Sequence, residues 1–349
     1  MAYTTIDDPS AHFQTATWSG SGGTQSITFN GNSDMKPDWT WSKGRTIAFN
    51  YSLQDSSRGI GSSGKTLSSN TNAQDADIND YMMTFDTDGF SVGAGDAGFN
   101  ASNDTYVSWC WKANGGTTST NSDGDIDSTV QANTTAGFSI ILDSPPNTTA
   151  RNIGHGLGKT PTFIIRRNRN RTEDWRVFFQ GFGSTGAIIL NNEGTYNSST
   201  TALFTGVAAS TFGVGTDFSV NGGYNYVTYC FTDIQGFSQL GAYIGNGNAE
   251  GPFIYTGFKP AWVIIKANSN YKYWNIFDNQ RNTSNAVDKR LTPSLNAVED
   301  TVSSIDFNSN GFKIRNSGTT LNESGTTISY FAIAEQPFVT SSAVPTTAR

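Results

Sequence analysis

Apolar and polar positions alternate along this chain at the two-residue period of a pleated strand, in short runs bounded by Gly, Asn, Ser and Thr. Ala261 to Lys266 reads as a strand that ends in the turn Ala267-Asn-Ser-Asn270, and Tyr273 to Phe277 follows as its hairpin partner. Phe85 to Val92 and Asp306 to Ile314 each read as a tight hairpin. An Asp-Gly step in the first and an Asn-Gly step in the second suit a type I′ turn. No segment carries a long 3.6-residue stripe with caps, and Ser284 to Asn296 has room for one helical turn at most. The pattern predicts an all-β protein.

The same phrase is written three times. Pro37, Trp39, Trp41 and Lys43 share their spacing with Pro161, Phe163, Ile165 and Arg167, and with Pro260, Trp262, Ile264 and Lys266. A second phrase follows each at nearly constant distance: Thr105 to Trp111, Asn225 to Phe231 and Thr327 to Ile333. It is apolar with little alternation, which predicts a central strand covered on both faces. An internal repeat takes precedence over every other signal. The expected architecture is three tandem β-sandwich modules, jelly-roll-like, of about a hundred residues each. Their bounds are 13–113, 137–239 and 240–338, after a leader 1–12 and before a tail 339–349. Residues 114–136, rich in Gly, Ser, Thr and Asn, read as a flexible linker.

Composition fits that reading. Charged residues are 15% and aromatics 13%, so the chain is neither a disordered polar tract nor a helical one. A net charge of −7 argues against a nucleic-acid partner. The opening Met1-Ala-Tyr-Thr-Thr lacks a charged start and an apolar run, and no stretch reaches the roughly 20 apolar residues of a membrane helix. Neither a secretory signal nor membrane insertion is expected. The basic cluster Arg166, Arg167, Arg169 and Arg171 sits at a strand end and the Asn-rich turn after it, in the middle module alone. It reads as a hairpin tip available for surface recognition. Tyr271, Tyr273 and Trp274, among Asn and Ser, are the aromatics placed to stack on sugars or fill an interface.

Motifs of catalysis and metal binding fail on inspection. Cys110 and Cys230 hold the same place in two modules where the third has Ala332, which marks a small buried site and not a disulfide. His155 lies in a glycine-rich turn with no nucleophile elbow and no second ligand nearby. Asp86, Asp88 and Asp306 recur as hairpin positions, where Asx-type bonding explains them better than an acid–base pair. Asp123, Asp125 and Asp127 alternate like a calcium loop, but Ser128 and Thr134 stand where it needs Gly and Glu. Gly59 to Thr66 matches a phosphate loop in letters without a leading strand or following helix. No catalytic residue, cofactor or metal is expected.

Several phrases together resemble a known family. They are Thr5 to Pro9, Phe85 to Val92, Tyr106 to Lys112, Ala136 to Ile140, Gly154 to Gly158, Gly251 to Val263, Ile276 to Asp278, and the ending Ala334 to Phe338 with Thr347 to Arg349. In these the chain is similar to repeat-built virion proteins of tailed bacteriophages, many of them marine phages and cyanophages. The resemblance implies a non-enzymatic structural protein of the virion, tail-fibre-like or displayed on the particle, made in the host cytoplasm. Its expected roles are assembly with other virion proteins or attachment to the host surface, as a homo-oligomer, with a trimer favoured. The alternatives are a carbohydrate-binding array that recognises a host-surface glycan and, beyond that, a glycan hydrolase.

Overall fold

A computed structural model describes residues 3–346 apart from 62–63, 78–81, 95–97 and 269–271. The fold is all-β and antiparallel. One strand order recurs three times. In the first repeat it is Phe13–Ser19, Thr105–Trp111, Trp39–Gly44, Ser52–Asp55. In the second it is Phe138–Asp143, Tyr226–Phe231, Phe163–Asn168, Arg176–Phe179, and in the third Ser238–Ile244, Thr327–Pro337, Phe258–Ala267, Asn275–Asp278. The register also repeats: Trp39 pairs with Trp111, Phe163 with Phe231 and Trp262 with Ile333. Both predicted phrases are therefore neighbouring strands. Each has a strand on either side, and the second is buried on both faces, as its unbroken apolar run requires.

A smaller sheet covers one face of each large one. Its strands are Gln25–Ile27, Gly89–Val92 and Met82–Asp86 in the first repeat, Arg151–Gly154, Thr211–Val214 and Phe204–Val207 in the second, and Phe253–Tyr255, Gly311–Ile314, Asp300–Asn308 and Val287–Arg290 in the third. Three separate apolar clusters fill these gaps, among them Trp18 with Phe90, Ile164 with Phe212, and Val263 with Phe312. Cys110, Cys230 and Ala332 all point into them, buried and unbridged.

The opposite faces of the three large sheets meet one another. Trp39, Trp41, Trp109 and Trp111, with Phe163, Ile165, Tyr229 and Phe231, and with Trp262, Ile264, Phe331 and Ile333, form one continuous core. Contacts run between every pair of repeats. The Trp39 ring stacks on Tyr229 at 4.3 Å, Trp111 meets Trp262 at 5.6 Å, and Phe163 meets Phe331 at 5.3 Å. The repeats are thus packed as a closed ring of three around shared aromatics and not as independent modules in a row.

Three local expectations are corrected, and the leader is found anchored. The stretch 114–136 is no flexible linker: Ser119–Asn121 and Ser128–Asn133 extend the second repeat's large sheet beyond Phe138–Asp143. Val130 and Gln131 alternate inward there despite the Ser/Thr-rich composition. Leader residues are anchored as well, with Ile6 in the central core and the Thr4 hydroxyl donating to the Gln235 carbonyl at 2.8 Å. Within 284–296 the regular element is a strand, Val287–Arg290, and not a helical turn. The hairpins are not type I′, because Asp86 pairs with Gly89 and Asn308 with Gly311, which leaves Thr87-Asp88 and Ser309-Asn310 as turn residues without positive φ. Gly89, just past its turn, takes φ of 104°, and both glycines meet a close approach. A Cβ on Gly89 would stand 2.0 Å from the Ile27 carbonyl oxygen, and one on Gly311 equally close to that of Ile254.

Shared burial makes a quantitative expectation. Trp39→Ala should cost about 3–5 kcal/mol, the range for emptying a large aromatic site. Trp262→Ala should shift the same unfolding curve and not split off a third of it. Urea denaturation followed by both tryptophan fluorescence and circular dichroism checks this, with coincident curves as the expected outcome.

Candidate functional site

The repeats differ in the side chains through which they meet. The cation that closes the first phrase is buried in all three copies. Lys43 donates to the carbonyls of Gly44 at 2.7 Å and Ile47 at 3.0 Å, and Lys266 to that of Ala267 at 3.0 Å. Arg167 donates to the carbonyls of Glu173, Asn72 and Ala73, the last two belonging to the first repeat. Burial alone pushes the Lys43 ammonium down to about 8, and it is the leading cause that brings Lys266 to the same value. Arg167 falls to about 10 for the same reason, opposed by Asp174, Glu173 and Asp75.

Two residues beyond that cation stands an arginine in two of the repeats, and each starts an ion chain that crosses a junction. At the first–second junction Arg169 binds Asp75 at 2.6 Å, Asp75 binds Arg58 at 2.9 Å, and Arg58 binds Asp55 at 2.5 Å. The Asp55 carboxylate accepts from the Tyr229 hydroxyl at 2.7 Å. The third–first junction repeats the chain with other letters. Arg45 binds Glu299 at 2.9 Å, Glu299 binds Arg281 at 3.1 Å, Arg281 binds Asp278 at 2.5 Å, and Asp278 accepts from the Trp109 indole at 2.9 Å. Burial works against the charge of Arg58 and of Arg281. The carboxylates beside them, with Tyr229 at Arg58, outweigh it and hold both guanidinium groups above their usual range.

The second–third junction has no such chain among the described residues. Phe179 and Phe182 stand at the places of Asp55 and Arg58, in register with Phe163 as Asp55 is with Trp39. Phe179 packs against Trp274 at 5.8 Å, and a Cβ on Gly181 would meet the Ser329 hydroxyl of the third repeat. The Asp-x-x-Arg spacing in Asp55–Arg58 and Asp278–Arg281 was the available sequence signal. Its loss in the second repeat hid it.

The predicted recognition residues are reassigned by this geometry. Arg166 is fully buried and not at a surface tip: it holds Asp143 through two bonds of 2.7 Å, donates to Thr228 and the Val220 carbonyl, and lies over the Tyr226 ring. Its strand position faces the gap between the two sheets, so the guanidinium needs these partners. Arg167 and Arg169 belong to the first–second junction described above. Arg171 is the most exposed of the four, paired with Glu173 and lying over Phe218 at 4.3 Å. Trp274 is fully buried and no stacking platform, since its indole donates to the Ile189 carbonyl across the second–third junction. Trp175 does the same to Ser68 at the first–second junction. Tyr273 is half-buried, and Tyr271 lies outside the described residues. All eight tryptophans are buried, which leaves Phe218, Phe253 and Tyr255 as the exposed aromatic rings among the described residues.

The other singled-out groups are structural. His155 is buried, accepts from Leu157 N–H and meets the Ala208 carbonyl, and burial lowers its pKa. Asp86 accepts from Thr84 and Ser91, Asp88 from Met35 N–H, and Asp306 from Arg315. Asp123, Asp125 and Asp127 bind three different donors, Asn121, Asn152 N–H and Ser122. No helix among the described residues is long and apolar enough to cross a membrane.

A cleft of about 230 Å³ between the third and first repeats is lined by Gln14, Thr15, Ala261, Asn279, Gln280 and Gln336, among others. Asn279, Gln280 and Glu335 also line a second cleft beside it.

The family profile described as Domain of unknown function (DUF7483) matches residues 8–337. The chain belongs to this family. Its match embraces all three repeats and both ion chains as one domain, in keeping with the common core. Comparison with curated proteins and with solved structures gives no match.

Two outcomes follow from the junctions. Arg58→Met should cost about 3–5 kcal/mol, because it leaves Asp55 buried with its charge uncompensated. Asp55→Phe combined with Arg58→Phe, which copies the second–third junction, should recover at least half of that loss in urea denaturation. The lysines give a pH dependence. Their folded pKa of about 8 lies below the ordinary 10.5, so the unfolded chain binds more protons between those values. Stability should therefore rise as pH goes from 8 toward 10, where titration of tyrosines begins to act in the opposite sense. Denaturation midpoints across that range should flatten in a Lys43→Met, Lys266→Met double variant.

Proposed function

We propose that this chain is a non-enzymatic structural protein of a tailed-bacteriophage particle, tail-fibre-like or displayed on the surface, that serves assembly or host attachment. The observation that carries the reading is the use of the buried charge. Arg58, Arg166, Arg167 and Arg281, with Asp55, Asp143 and Asp278, are all spent on holding strands and repeats together. Rigidity of this kind suits a load-carrying component. The Gly-, Ser- and Asn-rich turns around it suit a protein surface that meets others through many modest contacts. The family phrases listed from the sequence lie on the same framework strands and hairpins, Tyr106 to Trp111 and Phe85 to Val92 among them.

Purified particles test the reading. Phage banded by density gradient should contain the chain in fixed stoichiometry by quantitative mass spectrometry, and an antibody against it should label the particles in electron micrographs. Abundance in the infected-cell lysate with absence from banded particles would overturn the proposal.

A further inference from the structure

The cleft at the third–first junction has a counterpart at each of the other junctions, and both counterparts are filled. Strand register makes Asp38, Ser56, Ser57 and Ile140 of the first–second junction equivalent to Ala261, Asn279, Gln280 and Thr15 of the third–first junction. At the first–second junction the space holds the side chain of Gln131, brought in by the added strand Ser128–Asn133, which pairs Gln131 with Ile140. That amide donates to the Ser56 and Ser57 hydroxyls at 2.9 and 3.0 Å and accepts from the N–H groups of Asn114 and Gly116 at 3.1 and 2.9 Å. At the second–third junction Gly181 stands where Ser57 does and lets the two repeats touch directly. At the third–first junction neither device is present among the described residues. Phe13–Ser19 is the terminal strand of its sheet, whereas its equivalent Phe138–Asp143 is capped by Ser128–Asn133. The Thr15 hydroxyl is buried beside the cleft and finds no hydrogen-bond partner among the described residues.

We propose that the Phe13–Ser19 edge and the adjoining cleft form an acceptor site for an extended segment of a partner polypeptide. The segment adds as a strand along Phe13–Ser19 and places a Gln or Asn side chain in the cleft. An open edge supplies a row of backbone donors and acceptors, and a pocket for an alternate side chain supplies selectivity. Phe13–Ser19 holds the same register to its inner neighbour as Phe138–Asp143 does. Its outward backbone groups therefore match those that already bind a strand in the second repeat. The amides of Asn279, Gln280 and Gln336 offer both donors and acceptors, as a primary amide requires of its surroundings. The site is a property of the chain itself and does not depend on the particle it serves.

The test uses the full chain and a labelled peptide of residues Ile126–Thr134, the strand that fills the equivalent space. Fluorescence anisotropy should show saturable binding, weakened at least tenfold by Gln131→Leu in the peptide and lost when the chain carries Gln280→Trp. Hydrogen exchange on the unsubstituted chain gives an independent readout: the peptide should protect the amides of Phe13–Ser19 and leave those of Phe138–Asp143 unchanged. No binding at millimolar peptide would overturn the proposal. So would binding indifferent to both substitutions, protection confined to Phe138–Asp143, or occupation of the cleft by oligosaccharides but not by the peptide.

Discussion

Each large sheet is apolar on both faces, and its small companion sheet covers only one. That imbalance is the constraint on which the rest of the molecule depends. The uncovered faces carry Trp39, Trp111, Phe163, Phe231, Trp262 and Phe331, all buried to 3% exposure or less. Burying one such side chain is worth about 1.5–3 kcal/mol, so leaving three such faces in water would cost more than a domain's typical net stability. Meeting at a common centre covers all three at once. The ring arrangement is the consequence, and it draws the leader into the body through Ile6.

Chains of buried charge then mark two seams of that ring. The two ion chains sit where the fourth strand of one large sheet approaches the central strand of the next, at Asp55 with Tyr229 and at Asp278 with Trp109. Buried ion pairs contribute little net stability compared with apolar side chains of similar volume, but they penalise misplacement heavily. The second–third seam, with Phe179 and Phe182, shows that the ring closes without them. We take the ion chains as setting which repeats meet and in what register, and the aromatic core as supplying the energy.

Legibility in the sequence followed the range of each interaction. The phrase around Pro37, Pro161 and Pro260 was readable because three strands use the same positions for the same packing, and Cys110, Cys230 and Ala332 were placed correctly by that comparison. The arginine cluster was misread because nothing local reveals that a charge is buried. The partner of Arg166 is Asp143, on a different strand, and the carbonyls that hold Arg167 come from Asn72 and Ala73 in another repeat. Trp274 failed for the same reason, since the acceptor of its indole proton is Ile189. Residues 114–136 have the letters of a linker, and only the two neighbours of Ser128–Asn133, one on each side, make it a strand.

The seam between Arg45 and Glu299 joins residues 254 positions apart. During synthesis, at about 5–20 residues per second, the first repeat leaves the ribosome tens of seconds before the segment that completes its ring. Through that interval Trp109 and Trp111 have no third repeat to cover them, and a nascent chain with an open aromatic face is a natural client for chaperones. Closure by the last strand also makes the finished protein a check on its own translation, because a chain that stops early never hides its centre.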